Sequence, residues 1–290
     1  MAHVVTTPAE PFLTADGALE VHQIPLGDDN LGWLVVCTKT RLGAIIDGPP
    51  DAQPYLDRCA ERGVTLHAVL NTHTHMDHIG VNVDLERRGL LAGLRVIGSE
   101  ATADAIPGLT EVVREGSPVR IGEAVGTTWL TEGHLRGHVS YVFGDAVFCG
   151  DTMFTGGCGR LFDGTPEVML HSLLRLATLP DGTRVCCAHE YSQDNLRFAW
   201  TVEPDNEALA HRIERVWSLR EHGRSAVPSR IEEERATNPF LRVGSPTLLH
   251  ILSRVAPEAD LDRAEVVFAT LRELKDSGRY RKLTDDQLPL

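Results

Sequence analysis

Thr72-His73-Thr74-His75-Met76-Asp77-His78 sets four side chains able to ligate a metal within six residues, just after an apolar run that ends at Leu70. In an extended or turning segment His73 and His75 project to one side, whereas the adjacent Asp77 and His78 diverge. One loop then offers donors to two metal ions ~3.5–4 Å apart. Imidazole with carboxylate is an ordinary donor set for zinc and for non-haem iron. A lone histidine reads as structural or solvated; four donors at this spacing read as a metal site.

Further donors follow from position. A site built at one edge of a sheet draws its side chains from the ends of several strands. His134 follows the run 129–131, Asp151 follows 147–149 and His189 follows 185–188, each where an apolar run stops, as His73 does. His73, His75 and His134 then suit one metal, and Asp77, His78 and His189 the other, with Asp151 between them.

Around these donors, short β-rich runs alternate with helical or turn segments from residue 20 to about 190. Strands are expected over residues 32–38, 43–46, 67–70, 94–97, 127–131, 139–143, 146–149 and 184–188, and helices over 51–62 and 166–178. This interleaving predicts a mixed, layered α/β protein. After about residue 195 helical periodicity takes over: Ala264, Val267, Phe268, Leu271 and Leu274 form the stripe of a helix packed on one face. Pro228, Pro239, Pro246 and Pro257 cut this region into short helices. The expected units are a catalytic domain over 1–192 and a helical domain over 193–290.

The 290 residues carry 28 Lys and Arg against 41 Asp and Glu, a formal net charge of −13, with no basic cluster. Such a surface repels a nucleic-acid backbone, so no nucleic-acid partner is expected. No apolar run approaches the ~18 residues of a membrane span and no leader pattern opens the chain, which predicts a cytoplasmic protein without a membrane partner. Six cysteines without framework spacing predict free thiols. The sequence sets no oligomeric state.

The chain resembles the metallo-β-lactamase superfamily and, within it, glyoxalase II, the hydroxyacylglutathione hydrolases. The superfamily resemblance rests on the HxHxDH run with Gly133-His134, Gly137-His138, Gly150-Asp151-Thr152 and Ala188-His189-Glu190-Tyr191. The narrower one rests on Gly157-Cys158-Gly159-Arg160, Glu203-Pro204-Asp205-Asn206, Asn238-Pro239-Phe240-Leu241-Arg242 and Leu271-Arg272-Glu273-Leu274-Lys275, which extend it over nearly the whole chain. It implies an αββα metallo-β-lactamase sandwich with a C-terminal helical domain covering the site. It also implies seven metal ligands, His73, His75, Asp77, His78, His134, Asp151 and His189, for two divalent metal ions, zinc first, with iron or manganese as alternatives. Arg160, Phe162, Tyr191, Arg272 and Lys275 would contact a glutathione thioester, with Phe162 standing where many members carry tyrosine. Basic side chains gathered at one place would let an acidic protein hold an anion with two carboxylates.

The implied reaction is hydrolysis of S-(2-hydroxyacyl)glutathione, such as S-lactoylglutathione, to a hydroxy acid and glutathione, the second step of methylglyoxal detoxification. A water shared by two cations has its pKa lowered from ~15.7 toward neutrality, and a thiol of pKa ~8.5 leaves without a strong acid. Asp77 would orient the water and Asp151 bridge the cations. Asp47 reads equally as an orienting partner of a ligand imidazole and as a turn former before Gly48-Pro49. His138 resembles a supporting group; His3, His22, His67, His171, His211, His222 and His250 are assigned to structure or surface, and Cys158 to structure. The alternatives are a persulfide dioxygenase-like oxidoreductase, expected to use fewer of these ligands, and a metallohydrolase of lactones or β-lactams. Ile79-Gly80-Val81-Asn82, Glu132 and Leu135 depart from the family's usual Gly-Gly-Asn run, Pro and Thr.

Overall fold

The computed structural model describes residues 4–290, so the His3 assignment lies outside the described residues. Strands β1 (Phe12–Leu13), β2 (Leu19–Leu26), β3 (Asn30–Cys37) and β4 (Leu42–Ile46) pair antiparallel in sequence order. The same sheet continues in parallel through β5 (Thr65–Leu70), β6 (Arg95–Ser99) and β7 (Glu111–Val113). The parallel strands need crossover connections, and helices α1 (Gln53–Arg62) and α2 (Met76–Arg87) supply the first two. A second sheet holds β8 (Pro118–Ile121), β9 (Ala124–Leu130), β10 (Val139–Phe143) and β11 (Ala146–Gly150). After the small hairpin β12 (Met153–Phe154) and β13 (Gly157–Cys158) and helix α3 (Pro166–Leu176), strand β14 (Arg184–Cys187) joins that sheet parallel to β11.

Strand β3 shows how the layers arise. It is buried along almost its whole length, because both faces of its sheet are covered. Leu31, Trp33 and Val35 belong to the core shared with Tyr141, Phe143 and Phe148 of the second sheet, and the rings of Trp33 and Phe148 meet edge to face at 5.9 Å. The alternate residues Leu34 and Val36 pack with Tyr55 and Cys59 of α1 and Ile79, Val81 and Leu85 of α2. Alternation on the second sheet puts Val147 and Val185 opposite Phe148, in one core with Met169, Leu173 and Leu176 of α3. Each such side chain, fully buried, contributes about 1.5–3 kcal/mol.

The remaining helices are α4 (Ser192–Val202), α5 (Glu207–Glu221), α6 (Ile231–Thr237), α7 (Pro246–Val255) and α8 (Ala264–Asp276). Phe198, Phe240, Val267, Phe268 and Leu271 extend the sheet core directly into this region. Within the expected stripe of α8, Val267, Phe268 and Leu271 are buried, whereas Ala264 is exposed. The buried Arg212–Glu234 ion pair ties α5 to α6, and Glu234 also accepts from Gly156 N at 2.9 Å, fixing the turn of the β12–β13 hairpin.

Every strand expected from the sequence is present; strand β2, helix α2 and the β12–β13 hairpin were not anticipated. Strand β2 carries buried His22 and Gln23 and an internal Pro25, which obscure its alternation. Helix α2 begins inside the histidine motif: Asp77 and His78 lie on its first turn rather than in a loop. The region after residue 195, expected to be helical, also holds a strand, since β15 (Ser229–Arg230) adds to the edge of β14.

Candidate metal centre and active site

The donors gather where strands of both sheets stop. His73 lies three residues beyond β5, His134 beyond β9, Asp151 directly after β11 and His189 two residues beyond β14. His75 is the N-cap residue of α2, with extended backbone angles, so the chain turns there and throws Asp77 and His78 back toward the sheet edge. Gly150, at φ 47°, gives the left-handed turn that redirects the chain after β11; a β-carbon there would lie 2.3 Å from Thr72 Oγ1.

Two clusters result among the described residues. Donor atoms of His73, His75, His134 and Asp151 all lie within 4.8 Å of one another, as do those of Asp77, His78 and His189. Around His75 Nδ1, His73 Nε2 stands at 3.0 Å and His134 Nε2 at 3.1 Å. In the other cluster His189 Nε2 is 3.3 Å from Asp77 Oδ2. Asp151 spans both: Oδ1 is 3.4 Å from Nε2 of His78 and of His189, while Oδ2 is 3.5 Å from Nε2 of His134. Four ligands at ~2.0–2.1 Å around one tetrahedral ion stand ~3.3 Å apart, so these separations are the edges of such polyhedra. His78 Nε2 and Asp151 Oδ1 are buried without a hydrogen-bond partner in the protein, an expensive arrangement for polar atoms that a cation between them resolves. The residues fit a dinuclear divalent metal site.

The far nitrogen of most ligand-positioned imidazoles is held by the protein, which fixes the ring and its tautomer. His78 Nδ1 donates to Asp47 Oδ2 at 3.0 Å, His189 Nδ1 to Asp29 Oδ1 at 2.9 Å, and His134 Nδ1 to the Arg160 carbonyl at 2.7 Å. His73 Nδ1 donates to Thr72 Oγ1 at 3.1 Å, and that hydroxyl donates to Asp47 Oδ2 at 2.6 Å. Asp47 therefore steadies one histidine of each cluster and is an orienting carboxylate as well as a turn residue. His138 stacks on His73 at 4.8 Å and accepts from Asp151 N at 3.2 Å, so it supports the site from behind. Burial, reinforced by the facing histidines, holds His73 and His138 well below the ordinary imidazole pKa and keeps them neutral.

Of the residues left to structure or surface, His22 is buried against Glu20, while His171, His211, His222 and His250 are exposed and His67 is partly buried; none reaches the clusters. Asp29 was missed from sequence. It sits in the β2–β3 turn, where Asp-Asp-Asn reads as ordinary turn chemistry.

The clusters open into a cavity of ≈ 640 Å³ that is also lined by Arg160, Phe162, Tyr191, Arg272 and Lys275. Phe162 is 62% exposed and packs edge-on to His75 and His134; Tyr191 stacks on His189 at 4.8 Å. Arg272 and Lys275, one turn apart on α8, are both buried in the cavity lining, paired with Asp276 and Asp194 respectively. Burial pushes the Lys275 ammonium down to about 8 against the pull of Asp194. Cys158 lines the same cavity, but burial raises its thiol to about 11, so it stays protonated and inert.

The two-sheet sandwich and paired donor clusters define the metallo-β-lactamase class, and the family model "Metallo-beta-lactamase superfamily" matches residues 48–189. "Hydroxyacylglutathione hydrolase C-terminus" matches residues 190–278. A hydroxyacylglutathione hydrolase of Synechococcus sp. (strain JA-2-3B'a(2-13)) is 44% identical over 260 residues, covering 89% of this chain and 99% of the relative. One from Methylococcus capsulatus (strain ATCC 33009 / NCIMB 11132 / Bath) is 44% identical over 264 residues, covering 90% and 99%. The chain belongs to the hydroxyacylglutathione hydrolase, or glyoxalase II, family. Among solved structures, ETHE1 from Myxococcus xanthus is similar, with TM-score 0.57 and 25% identity, covering 93% of this chain and 99% of that one. The BLEG-1 B3 metallo-beta-lactamase shares the fold at TM-score 0.57 and 21% identity, covering 77% and 99%. No helix among the described residues is long and apolar enough to cross a membrane.

Proposed function

We infer that this chain hydrolyses S-(2-hydroxyacyl)glutathione thioesters such as S-lactoylglutathione, releasing a 2-hydroxy acid and glutathione. The observation that carries this reading is one cavity joining two complete donor clusters to a wall of basic side chains. His73, His75 and His134 would hold one divalent ion, Asp77, His78 and His189 the other, with Asp151 between them and zinc the metal best matched to nitrogen and oxygen donors. When bound, the two ions supply a water of lowered pKa and a Lewis acid for the acyl oxygen.

The chain's own residues do the rest. Asp77, whose Oδ2 also accepts from Asn30 Nδ2 at 3.2 Å, would orient a water at the cluster. Arg160, Arg272 and Lys275 bind the carboxylates of the thiol half, Tyr191 offers its phenol, and Phe162 gives the acyl group an apolar face beside His75 without the hydroxyl a tyrosine would carry. We propose residues 193–290 as the substrate-binding domain and 1–192 as the catalytic one, since the basic wall comes chiefly from α8 and the donors from the sheet edges. A cytoplasmic location fits the free, buried state of all six cysteines.

The test is thiol release from S-lactoylglutathione by metal-replete protein, beside a chelated sample. Rapid release that the chelator abolishes and added metal restores is expected. Lactone turnover, or oxygen uptake with glutathione persulfide, in place of thiol release overturns the reading. The second donor cluster disfavours the dioxygenase alternative, for which fewer of these ligands are expected.

Lys275 gives a separate prediction. Its ammonium faces Asp194, Arg272 and Tyr280, and below about pH 8 it is charged and able to hold a carboxylate. As pH rises through that value the charge is lost, so KM should climb, by roughly tenfold between pH 7 and 9.5, while kcat changes little. Lys275→Ala should show a high KM at pH 7 and no such rise; a wild-type KM flat across this range contradicts the assignment.

A further inference from the structure

The family match ends at residue 278, yet the cavity wall does not. Gly278, at φ 66°, turns the chain back after α8 into a short turn, Arg279–Lys282, which places Tyr280 and Arg281 in the lining. The turn is built in rather than draped over the surface. Tyr280 is buried, packs edge-on to Phe198 at 5.4 Å and donates its hydroxyl to Asp194 Oδ2 at 2.5 Å. Beyond it, Arg197 donates to the Leu283 carbonyl at 2.5 Å and pairs with Asp285, clamping the next residues onto α4.

Arg281 Nε reaches Asp194 Oδ1 at 2.9 Å, while the guanidinium is 60% exposed and free to take a second anion. At this end of the cavity four cations, Arg160, Arg272, Lys275 and Arg281, accompany two carboxylates, Asp194 and Asp276. One cation more than Arg272, Lys275 and Arg160, set beside an acid, is the complement of a zwitterion.

We propose that Arg281 and Asp194 form a subsite for an α-amino-acid terminus, Arg281 holding its carboxylate and Asp194 its ammonium, so that the segment after residue 278 makes Arg281 a specificity-determining residue. The inference rests on the proposed thioester reading, in which the γ-glutamyl end of glutathione is that terminus. Two oppositely charged contacts at fixed separation select for an unblocked γ-glutamyl group, where a lone cation would accept any anion.

The experiment compares S-lactoylglutathione with S-lactoyl-N-acetylcysteinylglycine, which keeps the cysteine nitrogen as an amide but lacks the γ-glutamyl amino-acid terminus, on wild type, Arg281→Ala and Arg279→Ala. Arg279 is exposed on the same turn but outside the cavity lining, so its variant matches the charge change alone. Arg281→Ala should raise KM for the glutathione thioester about three- to tenfold with kcat within about twofold, and leave the truncated thioester unchanged. Arg279→Ala should alter neither, and Arg281→Lys should recover part of the loss. An equal rise for both thioesters, a fall in kcat alone, or no change overturns the subsite. Calorimetric binding of glutathione and of N-acetylcysteinylglycine to the same proteins reads the subsite without turnover. Arg281-dependent preference for glutathione in a protein that cleaves neither thioester would sink the hydrolase reading and leave the subsite standing; absence of that preference removes the subsite.

Discussion

Asp151→Ala should cost about a thousandfold or more in kcat/KM for S-lactoylglutathione and reduce bound metal from two ions per chain to one or fewer. Asp151 carries one carboxylate oxygen to each donor cluster, with Oδ1 3.4 Å from His78 and His189 and Oδ2 3.5 Å from His134. Every other candidate ligand belongs to one cluster, so its loss leaves the opposite ion with its full set. Without the carboxylate, two ions would also face each other with one fewer negative charge between them, at separations where their repulsion is large. Asp151→Asn keeps the volume and one oxygen acceptor but removes the charge, and should fall between wild type and alanine in metal content. Metal analysis after dialysis, with turnover on the same samples and thermal unfolding to verify the fold, decides the matter. An alanine variant that retains two ions per chain and near-normal turnover would show that Asp151 does not bridge.

The candidate ligands were legible because each is a rare donor type at the place where an apolar run stops, and strand ends are what a sheet-edge site is made of. The supporting residues were less so. Asp29 and Thr72 carry no signal that distinguishes them from turn residues; their role depends on which imidazole the fold brings to them. Helix α2 was invisible for a related reason. His78, Ile79, Gly80, Val81, Asn82, Asp84 and Leu85 are all buried, so it has no polar face and therefore no stripe of period 3.6. Gly80 is there because Pro50 lies where its β-carbon would go, 2.6 Å from the proline nitrogen, and that contact joins residues distant in sequence. The departure at Val81 is absorbed by the core, where its side chain is fully buried in the cluster of Tyr55 and Leu85, while Asn82 and Asn71 exchange amide hydrogen bonds at 2.8 and 3.2 Å behind the histidine motif. Tyr280 and Arg281 were missed because cavity membership, unlike donor chemistry, is a property of the return turn at Gly278.

Asp47→Asn should be nearly as damaging as Asp47→Ala, although asparagine is the closest replacement in shape. Asp47 adopts φ 56°, a left-handed conformation that asparagine tolerates well and alanine poorly, so backbone strain separates the variants in stability. Their chemistry is alike. Oδ2 accepts from both His78 Nδ1 and the Thr72 hydroxyl, while Oδ1 accepts from Thr72 N at 2.8 Å. An amide keeps one oxygen, which the Thr72 backbone claims, and turns its NH2 toward His78 Nδ1. That contact becomes a hydrogen bond only if His78 carries its proton on Nε2, the nitrogen aimed at Asp151 and required to be bare for a metal. The expected result for both variants is a 10–100-fold loss of metal affinity or activity, concentrated in the cluster of Asp77, His78 and His189. Asp47→Gly, which removes the strain but restores no acceptor, should be more stable than Asp47→Ala and no more active. Metal titrations that distinguish the first ion from the second provide the reading: if Asp47→Asn binds both ions with wild-type affinity, the carboxylate is a turn former alone.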